Sequence, residues 1–113
     1  MHEVSLAGGI LQVVEQARVR DPFERVILLR LEAGALSGVE IGALRFALEA
    51  LSPGTILEGA QIEIIEKPGA AWCMKCSQSV AIFSRLDLCP HCESAQLQPT
   101  DGTELRVADI RVV

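Results

Sequence analysis

Tyrosine is absent from this chain of 113 residues, and three phenylalanines and one tryptophan are its only aromatics. A core must therefore be assembled from Leu, Ile, Val and Ala, and with half of the residues hydrophobic there are enough of them. Basic residues are also scarce: ten Lys and Arg stand against fifteen Asp and Glu, for a net charge of −5. They are scattered singly, as at Arg18, Arg20, Arg25 and Arg30. Without a basic stripe the chain lacks the phosphate-neutralising surface that supplies most nucleic-acid affinity, and binding to an anionic membrane surface is disfavoured for the same reason. No apolar run approaches the roughly 20 residues that span a bilayer. The opening Met1-His2-Glu3 has neither a basic segment nor a cleavage site, so no secretory signal is expected and a cytoplasmic location is. No phosphate-cradling G-x-x-x-x-G-K loop is present, and with only two histidines no nucleophile–base set stands out, so no enzymatic activity is expected.

What the chain does have is ordered. Over residues 5–20, Leu6, Ile10, Val13, Val14 and Ala17 recur at helical spacing, and Asp21-Pro22 closes the segment. Gly8 and Gly9 interrupt good helix formers, which points to close packing there. Residues 25–33 are rich in Val, Ile and Leu and predict a strand. Ser37-Gly38-Val39-Glu40 fits a capping box, with Ser37 at the N-cap and Glu40 three positions on. The helix it opens carries Leu44, Ala47, Leu48 and Leu51 on one face and stops at Pro53-Gly54. Residues 60–66 predict a second strand, broken by Lys67-Pro68-Gly69, and residues 104–113 a third. Pairing that last strand with the first two gives an α+β, mixed α/β domain: a small three-stranded sheet with two helices, formed by residues 1–67 and 104–113. Residues 68–103, which hold all four cysteines, then become an inserted domain, with Pro68-Gly69 and Pro99–Gly102 as turns or linkers.

The cysteines form two C-x2-C pairs, Cys73/Cys76 and Cys89/Cys92, with twelve residues between them. Each pair can place two thiolates on one side of a cation, and two such knuckles facing each other make the tetrahedral four-sulfur set that zinc favours. In a reducing compartment cysteines serve more often as metal ligands than as disulfides. About 30 residues with Trp72, Ile82, Phe83 and Leu88 as bulky members bury too little to fold alone, so a metal is expected to hold the module together. Iron in a four-thiolate site shares the spacing, and disulfides remain the third reading. Catalytic zinc is disfavoured, because four thiolates leave no open position. His91, inside the second knuckle, is either a solvent-facing filler or an alternative ligand.

The other histidine is His2. A bulky second residue keeps the initiator Met1 in place, so the α-amine, the amide nitrogen of residue 2 and the imidazole can chelate one cation through fused rings. Glu3 adds an amide and a carboxylate. Such nitrogen-rich planar sets suit Ni(II) or Cu(II). A site at the tip of a chain is also exposed, which a carrier needs and a structural site does not. The competing reading is an ordinary frayed terminus.

Taken together, MHEVSLAGGI, LEAGALSGVEIGALRFALEAL, GTILEGAQIEIIEKP, AWCMKCSQ and CPHC resemble the HypA/HybF family of hydrogenase maturation proteins, over essentially the whole chain. The resemblance implies an α/β nickel-binding domain and a zinc-ribbon domain. It implies transported Ni(II) held by Met1, His2 and Glu3, and structural Zn(II) held by Cys73, Cys76, Cys89 and Cys92. It implies a nickel-delivery GTPase and the large-subunit precursor of [NiFe]-hydrogenase as partners, with urease served in some bacteria. Glu40 matches a position where family members carry an acidic residue close to the nickel site, although a helix cap already explains it. The alternatives are a zinc-ribbon protein-interaction module in which His2 does nothing, and a redox protein with iron at the four thiolates.

Overall fold

The computed structural model describes residues 2–113, and Met1, one of the expected nickel ligands, lies outside the described residues. The first helix, α1, spans His2–Arg20, three residues earlier than the apolar spacing alone predicts. It buries Ala7, Ile10 and Val14. Val13, expected on that face, is 48% exposed, whereas Ala7 is fully buried. Positions 7, 10 and 14 follow the i, i+3, i+7 stripe of a single face, and Val13 lies off it. Gly8 and Gly9 do not serve close packing: a Cβ at either would meet nothing within 4 Å. At the far end, Arg18 Nε donates to the Phe23 carbonyl at 2.9 Å and ties down the chain leaving the helix.

Strand β1 (Val26–Gly34) supplies Leu29 and Leu31, both fully buried. Helix α2 spans Ile41–Leu51 and buries Leu44, Ala47 and Leu48. Its N-cap is Glu40, not Ser37: the Glu40 carboxylate accepts from Gly42 N at 3.1 Å and Ala43 N at 2.6 Å. The capping-box pattern fails here because the residues before it are held elsewhere. Ala35 N donates to Lys67 O, Leu36 N donates to Gly102 O, and the Leu36 side chain is buried with the cysteines. The helix therefore starts after Val39.

Strand β2 spans Gln61–Lys67 and the final strand, β6, spans Leu105–Val112; the sheet order is β2-β1-β6. The C-terminal strand thus joins the two earlier ones, as its pattern predicts. Gly34 N donates to Glu104 O near one end of the β1–β6 pair and Val113 N to Arg25 O near the other, so the two strands are antiparallel. Arg30 spans the whole sheet, reaching Glu63 of β2 at 3.4 Å and Asp109 of β6 at 3.1 Å.

The cysteine segment forms a second three-stranded sheet from β3 (Gly69–Cys73), β4 (Gln78–Ile82) and β5 (Leu97–Asp101), in the order β4-β3-β5. Both pairings are antiparallel, with Trp72 opposite Ser79 on one side and Gln98 on the other. β2 ends at Lys67 and Pro68 separates it from the next strand, as expected, but Gly69 opens β3, and Pro99–Asp101, expected as a turn or linker, lie in β5. Pro99 fits a strand because β5 is an edge, where its missing donor costs no ladder bond. Gly69 fits because a side chain there would meet Leu36 at 2.9 Å and the Asp101 carbonyl at 3.1 Å.

By contacts the chain divides into two units. One comprises the chain through Glu32 with Val39–Ile65 and Arg106–Val113; the other comprises Ala33–Gly38 and Glu66–Leu105. The core of the second is small: Leu36, Ala71, Val80 and Ile82 around buried Cys73 and Cys89, with Cys76, Cys92 and Leu97 packed against it.

Candidate metal centres

The two cysteine knuckles are built alike. Ser77 N donates to Cys73 O at 2.9 Å and Glu93 N to Cys89 O at 2.8 Å, each four residues on. Ser77 and Glu93 both adopt positive φ, 54° and 60°. Each turn thereby curls back over its own first cysteine. The four Sγ atoms converge within 4.8 Å of one another. Cys73 Sγ lies 3.6 Å from Cys92 Sγ, and Cys76 Sγ lies 3.8 Å from Cys89 Sγ. A tetrahedral zinc with bonds of about 2.3 Å has ligand–ligand edges of about 3.8 Å, so these spacings fit it. They are far from the roughly 2.05 Å of a disulfide, and all four cysteines are free.

The electrostatics divide the set into two kinds of thiol. Cys73 is lowered to about 6, first because the Cys76 backbone N–H donates to its sulfur. Cys89 is also lowered: burial opposes ionisation, but the N–H groups of Cys92 and His91 outweigh it. Cys76 is pushed up to about 12 by burial and by the neighbouring thiols. Cys92 is raised, since burial and the thiols of Cys73 and Cys89 overcome a hydrogen bond from the Ser94 backbone. The first cysteine of each pair is thus the readier thiolate. His91 is exposed and does not belong to the cluster of ligand atoms.

The other centre is at the start of α1. His2 is exposed, with Nδ1 at 3.8 Å from Glu3 Oε2. The same Glu3 oxygen accepts from the Glu40 backbone N–H at 3.3 Å. That hydrogen bond is the leading cause that holds the Glu3 carboxyl below its usual range, with a smaller contribution from His2. The fold therefore brings together His2, Glu3 and Glu40, residues 37 positions apart in the chain. Glu40 contributes its backbone to this contact, while its carboxylate caps α2. The first amides of an α-helix have no partner within the helix. Among the described residues the four cysteines are the one preformed cluster of metal-binding side chains.

Beside this terminus lies a feature that sequence reasoning missed. A groove of about 460 Å³ is lined by Glu3 and Val4 of α1 and by Ala43, Phe46, Ala47, Ala50 and Leu51 of α2. Phe46 is 73% exposed there. Its position off the Leu44/Leu48 stripe is the sequence signal that marks it.

A family model described as "Hydrogenase/urease nickel incorporation, metallochaperone, hypA" matches residues 1–112. A hydrogenase maturation factor HypA from Polaromonas naphthalenivorans is 60% identical over 112 residues, covering 99% of this chain and 97% of the relative. One from Cupriavidus necator is 61% identical over 112 residues, covering 99% and 94%. The fold is similar to the solution structure of the Ni metallochaperone HypA from Helicobacter pylori, with a TM-score of 0.69 at 17% identity, covering 98% of this chain and 97% of that one.

Proposed function

Since the chain belongs to the HypA family of nickel-incorporation metallochaperones, we propose that it is a non-enzymatic carrier that binds Ni(II) at Met1, His2 and Glu3. It delivers the ion during maturation of [NiFe]-hydrogenase. The observation that carries this reading is the exposed α1 terminus, where the His2 imidazole stands beside Glu3. The Met1 amine, the His2 amide and the His2 imidazole would hold the ion, a nitrogen-rich donor set that suits Ni(II). The exposed position of His2 at the tip of the chain lets a partner with better ligands reach the ion. A nickel-delivery GTPase and the hydrogenase large-subunit precursor are the partners in this reading, and the cytoplasm is the compartment. Among the described residues no helix is long and apolar enough to cross a membrane.

The second unit has a different task. Cys73, Cys76, Cys89 and Cys92 hold a structural zinc, whose four thiolate bonds supply the cross-link that its small core lacks. Cys73, lowered to about 6, stands ready as a thiolate, and Cys76, raised to about 12, gives up its proton on loading. The zinc-ribbon interaction module without nickel transfer is the alternative. Nickel titration of zinc-loaded protein beside a His2→Ala variant separates the two. Loss of about one nickel equivalent with zinc retained supports the carrier, and equal binding by both proteins refutes it.

A further inference from the structure

Each of the two three-stranded sheets has two edge strands, β2 and β6 in one, β4 and β5 in the other. An edge presents unpaired N–H and C=O groups to any strand that can reach them, and folded proteins blunt such edges with charged side chains or proline. Three of these four are blunted. β2 carries Glu63, Glu66 and Lys67, β6 carries Arg106, Asp109 and Arg111, and β5 carries Pro99 and Asp101. β4 runs Gln78-Ser79-Val80-Ala81-Ile82, with neither a charge nor a proline. Its pairing with β3 occupies one side only, and among the described residues no other backbone hydrogen bond reaches residues 78–82.

Both ends of this strand are fixed. At its start Ser77 N donates to Cys73 O at 2.9 Å. At its end the Asp87 carboxylate accepts from Phe83 N at 2.7 Å and from Ser84 N at 3.1 Å. A second strand can therefore dock without first ordering β4, which removes part of the entropic cost of association. Phe83 and Leu86, which follow the strand, are 61% and 91% exposed, so apolar surface comes next in the chain after the open edge.

We propose that β4 is the contact through which two copies of this chain associate, joining their sheets edge to edge. An open ladder takes a strand, and the strand whose pattern answers β4 is β4 itself. Val80 and Ile82 are buried on one face, while Ser79 and Ala81 are exposed on the other. A two-fold axis normal to the sheet makes the pairing antiparallel and keeps like faces on the same side, the isologous arrangement of a symmetric dimer. With the axis at Val80, Ser79 stands opposite Ala81 of the second copy, and Gln78 opposite its Ile82. The facing exposed residues are small, the central one on the other face is apolar, and no charge meets its like along the strand, although each chain carries a net charge of −5. A contact built on one strand of five residues is smaller than a standard interface of roughly 1,200 Å² or more, so association should depend on concentration. The inference stands apart from the nickel reading.

Sedimentation velocity of zinc-loaded full-length protein, from micromolar to millimolar, should show monomer passing into dimer. Over the same range the amide resonances of residues 78–83 should shift while those of β2 and β6 stay in place. Two double variants at exposed positions test the register: Ser79→Lys with Ala81→Lys, and Ser79→Glu with Ala81→Glu. In each, like charges stand directly opposite at two places, and association should weaken about tenfold. Mixed in equal amounts, the two should recover it, because lysine then faces glutamate. Zinc content and amide dispersion like those of the native protein show that the variants fold. A monomer at millimolar concentration overturns the inference and leaves the edge to an extended segment of a different protein. A dimer that both variants keep at native strength, or dilution shifts confined to the groove between α1 and α2, overturns it too. So does a mixture that associates no better than its components.

Discussion

Replacing Gly8 and Gly9 with alanine should stabilise the protein. Both lie inside α1, as its seventh and eighth residues and well before its end at Arg20. Glycine in a helix interior is about 0.8–1.0 kcal/mol less favourable than alanine, because the unfolded chain gains conformational freedom that folding must remove. The folded state offers no compensation, since a Cβ at either position meets nothing within 4 Å. The pair should therefore add about 2 kcal/mol to the unit that contains α1. For a domain of this size that corresponds to a rise in Tm of about 8–16 °C. The assay is thermal denaturation of zinc-loaded protein, followed by its helical circular dichroism, with the single variants giving about half the shift each. A fall in Tm for either variant would refute the reasoning, because it would mean that the new methyl group meets something in the folded monomer. Stabilisation accompanied by lost nickel delivery would place the reason for the glycines in a partner's approach to the α1 backbone.

Three further outcomes follow from the same geometry. Stripping zinc, or replacing Cys73 with serine, should unfold the second unit. Four-thiolate zinc binding is worth about 10–16 kcal/mol, against an apolar core of Leu36, Ala71, Val80 and Ile82 with Leu97 at its edge. Unchanged amide dispersion over residues 66–105 in metal-free protein would contradict this. Proton release on zinc loading should rise as pH falls through about 6. Cys73 is already a thiolate above that value, so it releases nothing there, and below it the thiol must give up its proton to the metal. Cys76, raised to about 12, releases its proton across the whole range. Calorimetry in buffers of different ionisation enthalpy measures the count, and a count independent of pH refutes the assignment. Finally, truncation before Leu105 removes β6, and with it Asp109 from Arg30 and Arg106 from Glu32. The first unit should then lose its cooperative unfolding transition, and a folded truncated protein would show that the third strand is dispensable.

Much of this architecture is legible in the sequence, and the parts that are not share a cause. The zinc module is readable because cysteine spacing is chemistry in itself: two C-x2-C pairs describe the ligand set whatever the backbone does between them. Strand β6 is readable because an apolar segment at the end of the chain needs a sheet. The misreadings arise where a local signal loses to a distant contact. Ser37 and Glu40 match a capping box, but Leu36 is buried in the other unit's core and its amide bonds Gly102, so the helix cannot begin there. Pro99 signals a turn, but β5 is an edge strand and tolerates it. Val13 has the right spacing, yet Ala7, Ile10 and Val14 define a face it does not share.

The terminal site shows the same limit in its sharpest form. His2 and Glu3 are conspicuous because their side chains can bind metals, and Glu40 is noticed for the same reason. The structure spends the Glu40 carboxylate on α2 and uses its amide to hold Glu3. Every residue except proline carries that amide, so no residue type could have marked it. Placement of one backbone N–H beside a carboxylate 37 positions away in the chain is a property of the fold alone. In Glu40→Pro the Glu3 carboxyl should titrate closer to its ordinary range than in Glu40→Ala, because proline is the one substitution that removes a backbone donor.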